Sequence, residues 1–301
     1  MYSKILVPLD GSQASAKVLP FARMLAHTLK LPVELLEVVD ISAATAHVAT
    51  DKARYLDIII AEGERASHEH LAEVAGSFAG VHVVCKVERA RPADAIIARA
   101  EAEPGTLIAM ATHGRSGINR WMMGSVAEKV LRGTTTPLFL VRAREEEATA
   151  GGAVSIKSIV VPLDGSGLAE SVLPSVAEIA KSFDIEIVLC RAYELAASAY
   201  YGSEDYLPKY DEILGELKVE VENYLQKKVQ ELKTSGLTKA SWVAFEGSGA
   251  EEIVRYANGH PDALVAMCTH GRSGMTRWTL GSVTEKVVRH SNQPVLVLHA
   301  A

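Results

Sequence analysis

The sequence predicts an α/β protein of two tandem domains, each a mostly parallel sheet covered by helices on both faces. Three observations carry this. The chain repeats itself: residues 110–132, MATHGRSGINRWMMGSVAEKVLR, return at 267–289 as MCTHGRSGMTRWTLGSVTEKVVR, 157 residues on. Likewise KILVPLDGS at Lys4–Ser12 returns as SIVVPLDGS at Ser158–Ser166, and Val18-Leu-Pro20 as Val172-Leu-Pro174, 154 residues on. The two offsets differ by about three residues of insertion, and a long internal repeat is the signature of tandem domains. Next, short apolar runs alternate with stretches of helical spacing, the pattern of βαβ units in a parallel sheet. Last, 301 residues with 48% hydrophobic and 23% charged side chains suffice for two separate cores. The expected boundaries are residues 1–143, a linker at 144–156, and residues 157–301.

In the first half Ile5 to Leu9 reads as a strand ending in the turn Asp10-Gly11-Ser12. Helical spacing follows through Val18, Phe21, Ala22, Leu25 and Leu29, closing near Leu31-Pro32. Val33 to Val39 is β-branched and apolar, a second strand. The small, polar stretch Asp40 to Thr50 reads as a loop, and a longer helix as Asp51 to Ala75. Val81 to Val87 supplies a third strand. Pro92 opens another helix that Pro104-Gly105 stops. Thr106 to Ala111 is the fourth strand, Gly124 to Arg132 the fourth helix, and Pro137 to Val141 the fifth strand.

Arg142 to Ser155 (RAREEEATAGGAVS) has no periodic apolar residues and reads as an exposed linker. The pattern then returns: strand Ile159 to Leu163, helix Leu168 to Phe183, strand Ile185 to Arg191, and a loop with Tyr193, Tyr200, Tyr201 and Tyr206. From Pro208 to Thr234, Leu214, Leu217, Val221, Leu225, Val229 and Leu232 recur at threes and fours, the face of a long helix packed on the sheet. Ala240 to Phe245, Ala263 to Cys268 and Pro294 to Leu298 complete the strands.

The net charge of −6 and the absence of a basic stripe argue against a nucleic-acid or anionic-membrane binder. No apolar run reaches bilayer length and the N-terminus lacks a signal-peptide pattern, so cytoplasm is the expected compartment. Cys85, Cys190 and Cys268 lie in apolar runs without C-x-x-C spacing and read as small buried hydrophobes. No dedicated metal cage is evident.

The repeated stretch carries the chemistry. Gly114 follows the fourth strand and, after nine residues, Gly124-Ser125 opens a helix; Gly271 and Gly281-Ser282 do the same in the second half. Strand, glycine-punctuated loop and helix start make an anion cradle, because orphan N–H groups at a helix start point at phosphate. Parallel sheets bind ligands beyond the carboxyl ends of their strands, so the Asp10-Gly11-Ser12 turn and the Thr112–Met123 loop are expected to face one crevice. A plainer reading has Asp10 and Asp164 capping the following helix, with Ser125 and Ser282 as N-caps whose capping boxes are completed by Glu128 and Glu285. His113 and His270 read as loop-orienting residues. Arg115 and Arg272 suit phosphate or solvent, and Trp121 and Trp278 suit an anchoring role.

With PLDGS, THGRSG and GS-V-x-E-K-V in place, both halves resemble the universal stress protein family over nearly the whole chain. The resemblance implies a five-stranded sandwich of the adenine-nucleotide α-hydrolase type, strand order 3-2-1-4-5, and pairing of the two domains across their last strands, with a homodimer as a candidate further assembly. It implies an adenine-nucleotide site: ATP, with AMP or ADP as alternatives, and magnesium carried on the phosphates. By this resemblance Pro8 and Asp10 lie at the first strand's end, with the Asp10 carboxylate accepting from ribose hydroxyls, Val38 holds adenine through its backbone, and Gly114, Gly124, Ser125 and Val126 take the phosphates. The second site is Pro162, Asp164, Cys190, Gly271, Gly281, Ser282 and Val283. Ala111 and Cys268 stand where the family's nucleotide-binding pattern has its first glycine, a departure that adds a methyl in one site and a thiol in the other.

Three functions compete: a nucleotide-binding stress regulator with little or no catalysis, a slow ATPase or nucleotidyl transferase, and a nucleotide-free scaffold. Against catalysis, the chain has no G-x-x-x-x-G-K-[ST] loop and no evident general base beside the cradle.

Overall fold

The computed structural model describes residues 2–40, 56–112, 123–142, 154–195, 207–269 and 280–299. The chain forms two compact units, Met1–Ser155 and Ile156–Ala301. In the first, β1 (Lys4–Leu9), α1 (Gln13–Ala16), α2 (Leu19–Leu29), β2 (Val33–Asp40), α3 (Leu56–Ala75), β3 (Val83–Ala90), α4 (Pro92–Glu101), β4 (Thr106–Ala111), α5 (Ser125–Gly133) and β5 (Leu138–Val141) follow in order. The second repeats them as β6 (Ser158–Pro162), α6 (Gly167–Glu170), α7 (Leu173–Phe183), β7 (Glu186–Tyr193), α8 (Leu207–Thr234), β8 (Ala240–Glu246), α9 (Gly249–Asn258), β9 (Ala263–Cys268), α10 (Ser282–His290) and β10 (Val295–Leu298). The strands run β3-β2-β1-β4-β5 in unit one and β10-β9-β6-β7-β8 in unit two, so each unit has the order 3-2-1-4-5 expected from the resemblance. The paired strands within each unit are parallel.

The central strands are buried on both faces: β1, β4 and β9 expose no residue appreciably, and Ile5, Leu6, Ile108, Ile159, Leu264 and Leu296 are all fully buried. Apolar runs without alternation are what such strands require. The helix read through Val18 is instead two pieces, α1 and α2, broken before Pro20, and the same break precedes Pro174. Proline lacks an N–H and clashes with the preceding turn, so it sits in the first turn of the second piece. Strand β3 runs from Val83 to Ala90, later than the apolar run at 81–87, because its end lies at the sheet edge and carries Arg89, paired with Glu64 of α3. The loop read at Asp40–Thr50 lies, beyond Asp40, outside the described residues, as do residues 51–55 of the long helix and Tyr200, Tyr201 and Tyr206.

One feature of unit one has no counterpart in unit two. Glu34 on β2 is buried and receives Lys4 Nζ at 2.9 Å and a two-pronged contact from Arg99 of α4, while Lys4 also meets Glu103 at 2.9 Å. The equivalent positions in unit two are Ser158, Val188 and Tyr256, and Tyr256 packs against Phe245 at 5.3 Å and His260 at 4.2 Å between ring centroids. Burial pushes the Glu34 carboxyl up, but the bonds from Arg99 and Lys4 together bring it below the ordinary carboxylate range.

Glu34→Ala is therefore expected to destabilise unit one by about 3 kcal/mol, since removing one member of a buried ion cluster strands the others. Thermal unfolding of the full chain should show the first unit's transition fall while the second's holds. A lowered carboxyl stabilises the fold fully above its unfolded value, about 4.3, and this contribution is lost as pH falls through the folded value. Acid titration followed by a probe in each unit should find the wild-type first unit losing a stabilisation that Glu34→Ala lacks.

Candidate functional site

The first strand of each unit ends in an Asp-Gly-Ser turn held by its own side chains. Asp10 Oδ1 accepts from Ser12 N–H at 3.0 Å and from Ser12 Oγ at 2.6 Å; Asp164 Oδ1 accepts from Ser166 N–H at 2.9 Å and Oγ at 2.6 Å. Ser12 Oγ accepts from Ser15 N–H, and Ser166 Oγ from Ala169 N–H, so the serine caps the short helix and the aspartate orders the turn. Asp10 and Asp164 are thus not the N-caps. The glycine between adopts φ +76 at Gly11 and +88 at Gly165, a left-handed backbone that explains its place in both copies. One carboxylate oxygen of each aspartate is spent on the turn.

At the fourth strand's end, Gly124 N–H donates to Thr112 O at 2.7 Å, and Thr112 N–H donates to Val141 O at 2.8 Å. Gly281 N–H to Thr269 O, and Thr269 N–H to Leu298 O, both 2.8 Å, repeat it. The amides of Gly124 and Gly281, expected among the phosphate donors, are therefore bonded to the chain itself. Ser125 and Ser282 are not N-caps: Gly124 and Gly281 occupy that place in extended conformation, no side chain caps either helix, and Glu128 N–H and Glu285 N–H make the first helical bonds, to Gly124 O and Gly281 O at 2.9 Å. The amides of Ser125, Val126 and Ala127, and of Ser282, Val283 and Thr284, precede the first helical bond and have no hydrogen-bond partner among the described residues. Ser125, Ser282 and Val283 are exposed and Val126 half-buried, whereas Ala127 and Thr284 are buried. Gly114 and Gly271 lie outside the described residues, with His113, His270, Arg115, Arg272, Trp121 and Trp278.

Ala111 and Cys268 end their strands buried, at 6% and 5% exposure. The Cys268 thiol is 3.0 Å from Ser171 Oγ, and it contributes no strong charge: burial pushes it up, the Ser171 bond pulls it only partly back. Pro8 is the penultimate residue of β1 and Pro162 the last of β6. On the second strand, Pro8 pairs with Leu36 and Pro162 with Cys190, so Cys190 is the equivalent of Leu36, and the equivalent of Val38 is Ala192. The two sites named from sequence were thus two residues out of step. Applying the 154-residue offset to Val38 was the signal that would have found Ala192. Cys190 itself is fully buried, and burial alone drives its thiol upward.

Among the described residues no group of three His, Cys, Asp or Glu side chains could hold a metal ion, and no helix is long and apolar enough to cross a membrane.

Two units of strand order 3-2-1-4-5, each with an Asp-Gly-Ser turn and an open helix start at the strands' carboxyl ends, define a tandem α/β protein of the adenine-nucleotide α-hydrolase-like class. The family model described as "Universal stress protein family" matches residues 1–142 and again 155–299. The chain belongs to the universal stress protein family. A universal stress protein of Methanocaldococcus jannaschii, MJ0531, is 34% identical over 144 residues, 47% of this chain and 81% of that protein. The Bacillus subtilis universal stress protein YxiE is 31% identical over 149 residues, 47% of this chain and all of that protein. The crystal structure of a universal stress protein from Archaeoglobus fulgidus superposes with a TM-score of 0.71 at 21% identity, covering 99% of this chain and 98% of that one, a likeness of fold.

In native protein, Cys85, half-buried beside Leu71 O at 3.5 Å, is expected to react first with a thiol reagent, and Cys190 not at all until unfolding. Mass spectrometry of timed labelling reads the order. Gly165→Ala is expected to cost about 1–2 kcal/mol, since an L-residue is forced into the left-handed region; the melting transition of unit two reports it.

Proposed function

We propose that each unit binds an adenine nucleotide, ATP foremost with ADP and AMP as alternatives, and that the protein serves the stress response as a regulator or sensor with little or no catalysis. The observation that carries this reading is the pair of open helix starts: three successive amides held over a strand end, without internal partners among the described residues. Such amides suit a phosphate tail, each charge-assisted bond being worth about 1.5–3 kcal/mol and the helix dipole about 0.3–1 kcal/mol more. The residues fit the group: Ser125, Val126 and Ala127 would hold phosphates in the first unit, Ser282, Val283 and Thr284 in the second. The backbone near Val38 and Ala192 would hold adenine, and the carboxylates of Asp10 and Asp164 would face ribose hydroxyls. The small Ala111 leaves that approach open, and the Cys268 thiol is turned onto Ser171, which removes part of the obstruction its size would pose. Magnesium would arrive on the nucleotide. Bonding of the two units through their last strands, and of two chains as a homodimer, belong to the same proposal as the elements a bound nucleotide would bias, with the protein working in the cytoplasm.

ATP at about 100 times its dissociation constant is expected to add about 2.7 kcal/mol to the binding unit, a rise of about 5–10 °C in its melting temperature. Gly124→Val with Gly281→Val, which crowds both helix starts, should abolish the rise. No shift at millimolar ATP in wild type would reject the reading and leave the nucleotide-free scaffold.

A further inference from the structure

The two sites share a backbone but not a charge. In unit two Arg191, the residue after Cys190 on β7, turns toward the β6 end: a Cβ built on Gly165 would lie 3.0 Å from its Nη1 and 3.3 Å from its Cζ. Its side chain is nine-tenths buried, with its guanidinium 5.0 Å from the Tyr224 ring centroid. The Glu220 carboxylate stands at 3.9 Å and is 67% exposed. In unit one the same places hold Glu37 and His70, residues 37 and 191, and 70 and 224, each being 154 apart. Glu37 lies level with Leu9 on β1, is 8% exposed, and meets His70 Nδ1 at 2.9 Å. On the strand beside the aspartate turn, then, unit one carries a carboxylate bonded to His70, and unit two a cation that a nearly buried arginine cannot lose.

We propose that the tandem sites are tuned to ligands of different charge, with Arg191 the specificity-determining residue that makes the second site the stronger binder of the free polyphosphate anion. The first site, with Asp10 and Glu37 both acidic, discriminates against it and takes a less charged adenine ligand on comparable terms. This rests on the nucleotide-binding reading above. A charge under low-exposure protein acts over more than one contact distance, because the intervening dielectric is far below that of water, and only its exposed fraction is screened by salt. Arg191 therefore biases affinity without having to touch the phosphates. It is a positioning and electrostatic residue, and its mark is a ratio: affinity for ATP relative to adenosine.

The test is calorimetric titration of the full chain with magnesium-free ATP and with adenosine, using Gly124→Val to leave the second site open and Gly281→Val to leave the first. At low salt the ATP-to-adenosine affinity ratio is expected to be about tenfold higher at the second site, and the gap should narrow at high salt. Arg191→Met should lower ATP affinity there about five- to tenfold with adenosine unchanged, and Arg191→Lys should restore most of it. Glu37→Gln, which spares the second unit altogether, should raise ATP affinity at the first site about threefold without altering adenosine. Equal ratios at the two sites, or loss of ATP and adenosine alike in Arg191→Met and Arg191→Lys, would overturn the proposal while leaving nucleotide binding intact. Failure of wild type to bind either probe would remove both readings together.

Discussion

The hydrogen bond from the Gly124 amide to the Thr112 carbonyl, and its twin from Gly281 to Thr269, is the constraint on which the rest of each unit depends. It ties the start of a helix directly to the end of the fourth strand, and the second bond, from Thr112 to Val141, ties that strand end to its neighbour. Whatever path the intervening chain takes, its two ends are fixed against the sheet. The helix that follows therefore begins at the carboxyl edge of the sheet, and the amides of its first turn begin there with it. The same bond consumes the glycine amide itself. A glycine there is thus an anchor and a spacer, its amide already used, and the three residues that follow it carry the amides left without a partner among the described residues.

Duplication preserved this frame and let the charges drift. Both turns keep Asp-Gly-Ser with the same two bonds and the same left-handed glycine, and both second helices end in the left-handed region, at Lys30 and Asp184, φ 55 and 53. Away from the backbone-determined positions the units diverge sharply. Lys4, Glu34 and Arg99 form a buried ionic cluster where unit two stacks Tyr256 on Phe245 and His260. Burying charge costs several kcal/mol per ion unless each is paired, so a cluster of this kind survives only with all its members. Aromatic packing meets the same structural need without that condition. The two units are built to one plan but are held by different forces.

How much of this the sequence disclosed follows from what kind of information each feature needs. The strands were legible because central parallel strands must be apolar throughout, and their runs at Thr106–Ala111 and Ala263–Cys268 coincide with β4 and β9. The turn was legible because only a few residues suit it. The division of the first helix was not, though Pro20 was in plain view: helical spacing runs on through Val18 and Ala22 while the missing N–H breaks the ladder between them. Nor was the end of β3 legible, since edge strands need no apolar alternation. The cap at Gly124 could not be told from one at Ser125, because both residue types suit an N-cap and only the φ and ψ of the chain decide. The equivalence of Val38 with Ala192 was legible in the 154-residue offset, and the register of Pro8 with Leu36 and of Pro162 with Cys190 agrees with it.

That distinction between backbone and side-chain information bears on how such a pair of domains can acquire two roles. The features that would position a ligand in the proposed sites are amides, carbonyls and a glycine turn, which substitution elsewhere leaves untouched. The features proposed to weigh one ligand against another are side chains on the second strand and the helix packed over it, Glu37 with His70 in one copy and Arg191 with Tyr224 in the other. Each pair fills its space and satisfies its own packing, so the exchange of a carboxylate for a guanidinium was possible without altering the turn beside it. Gly165 makes the point physically: its lack of a side chain serves the left-handed turn and at the same time leaves the room that the Arg191 guanidinium occupies. A single residue type thus answers a backbone demand common to both copies and permits a charge found in only one.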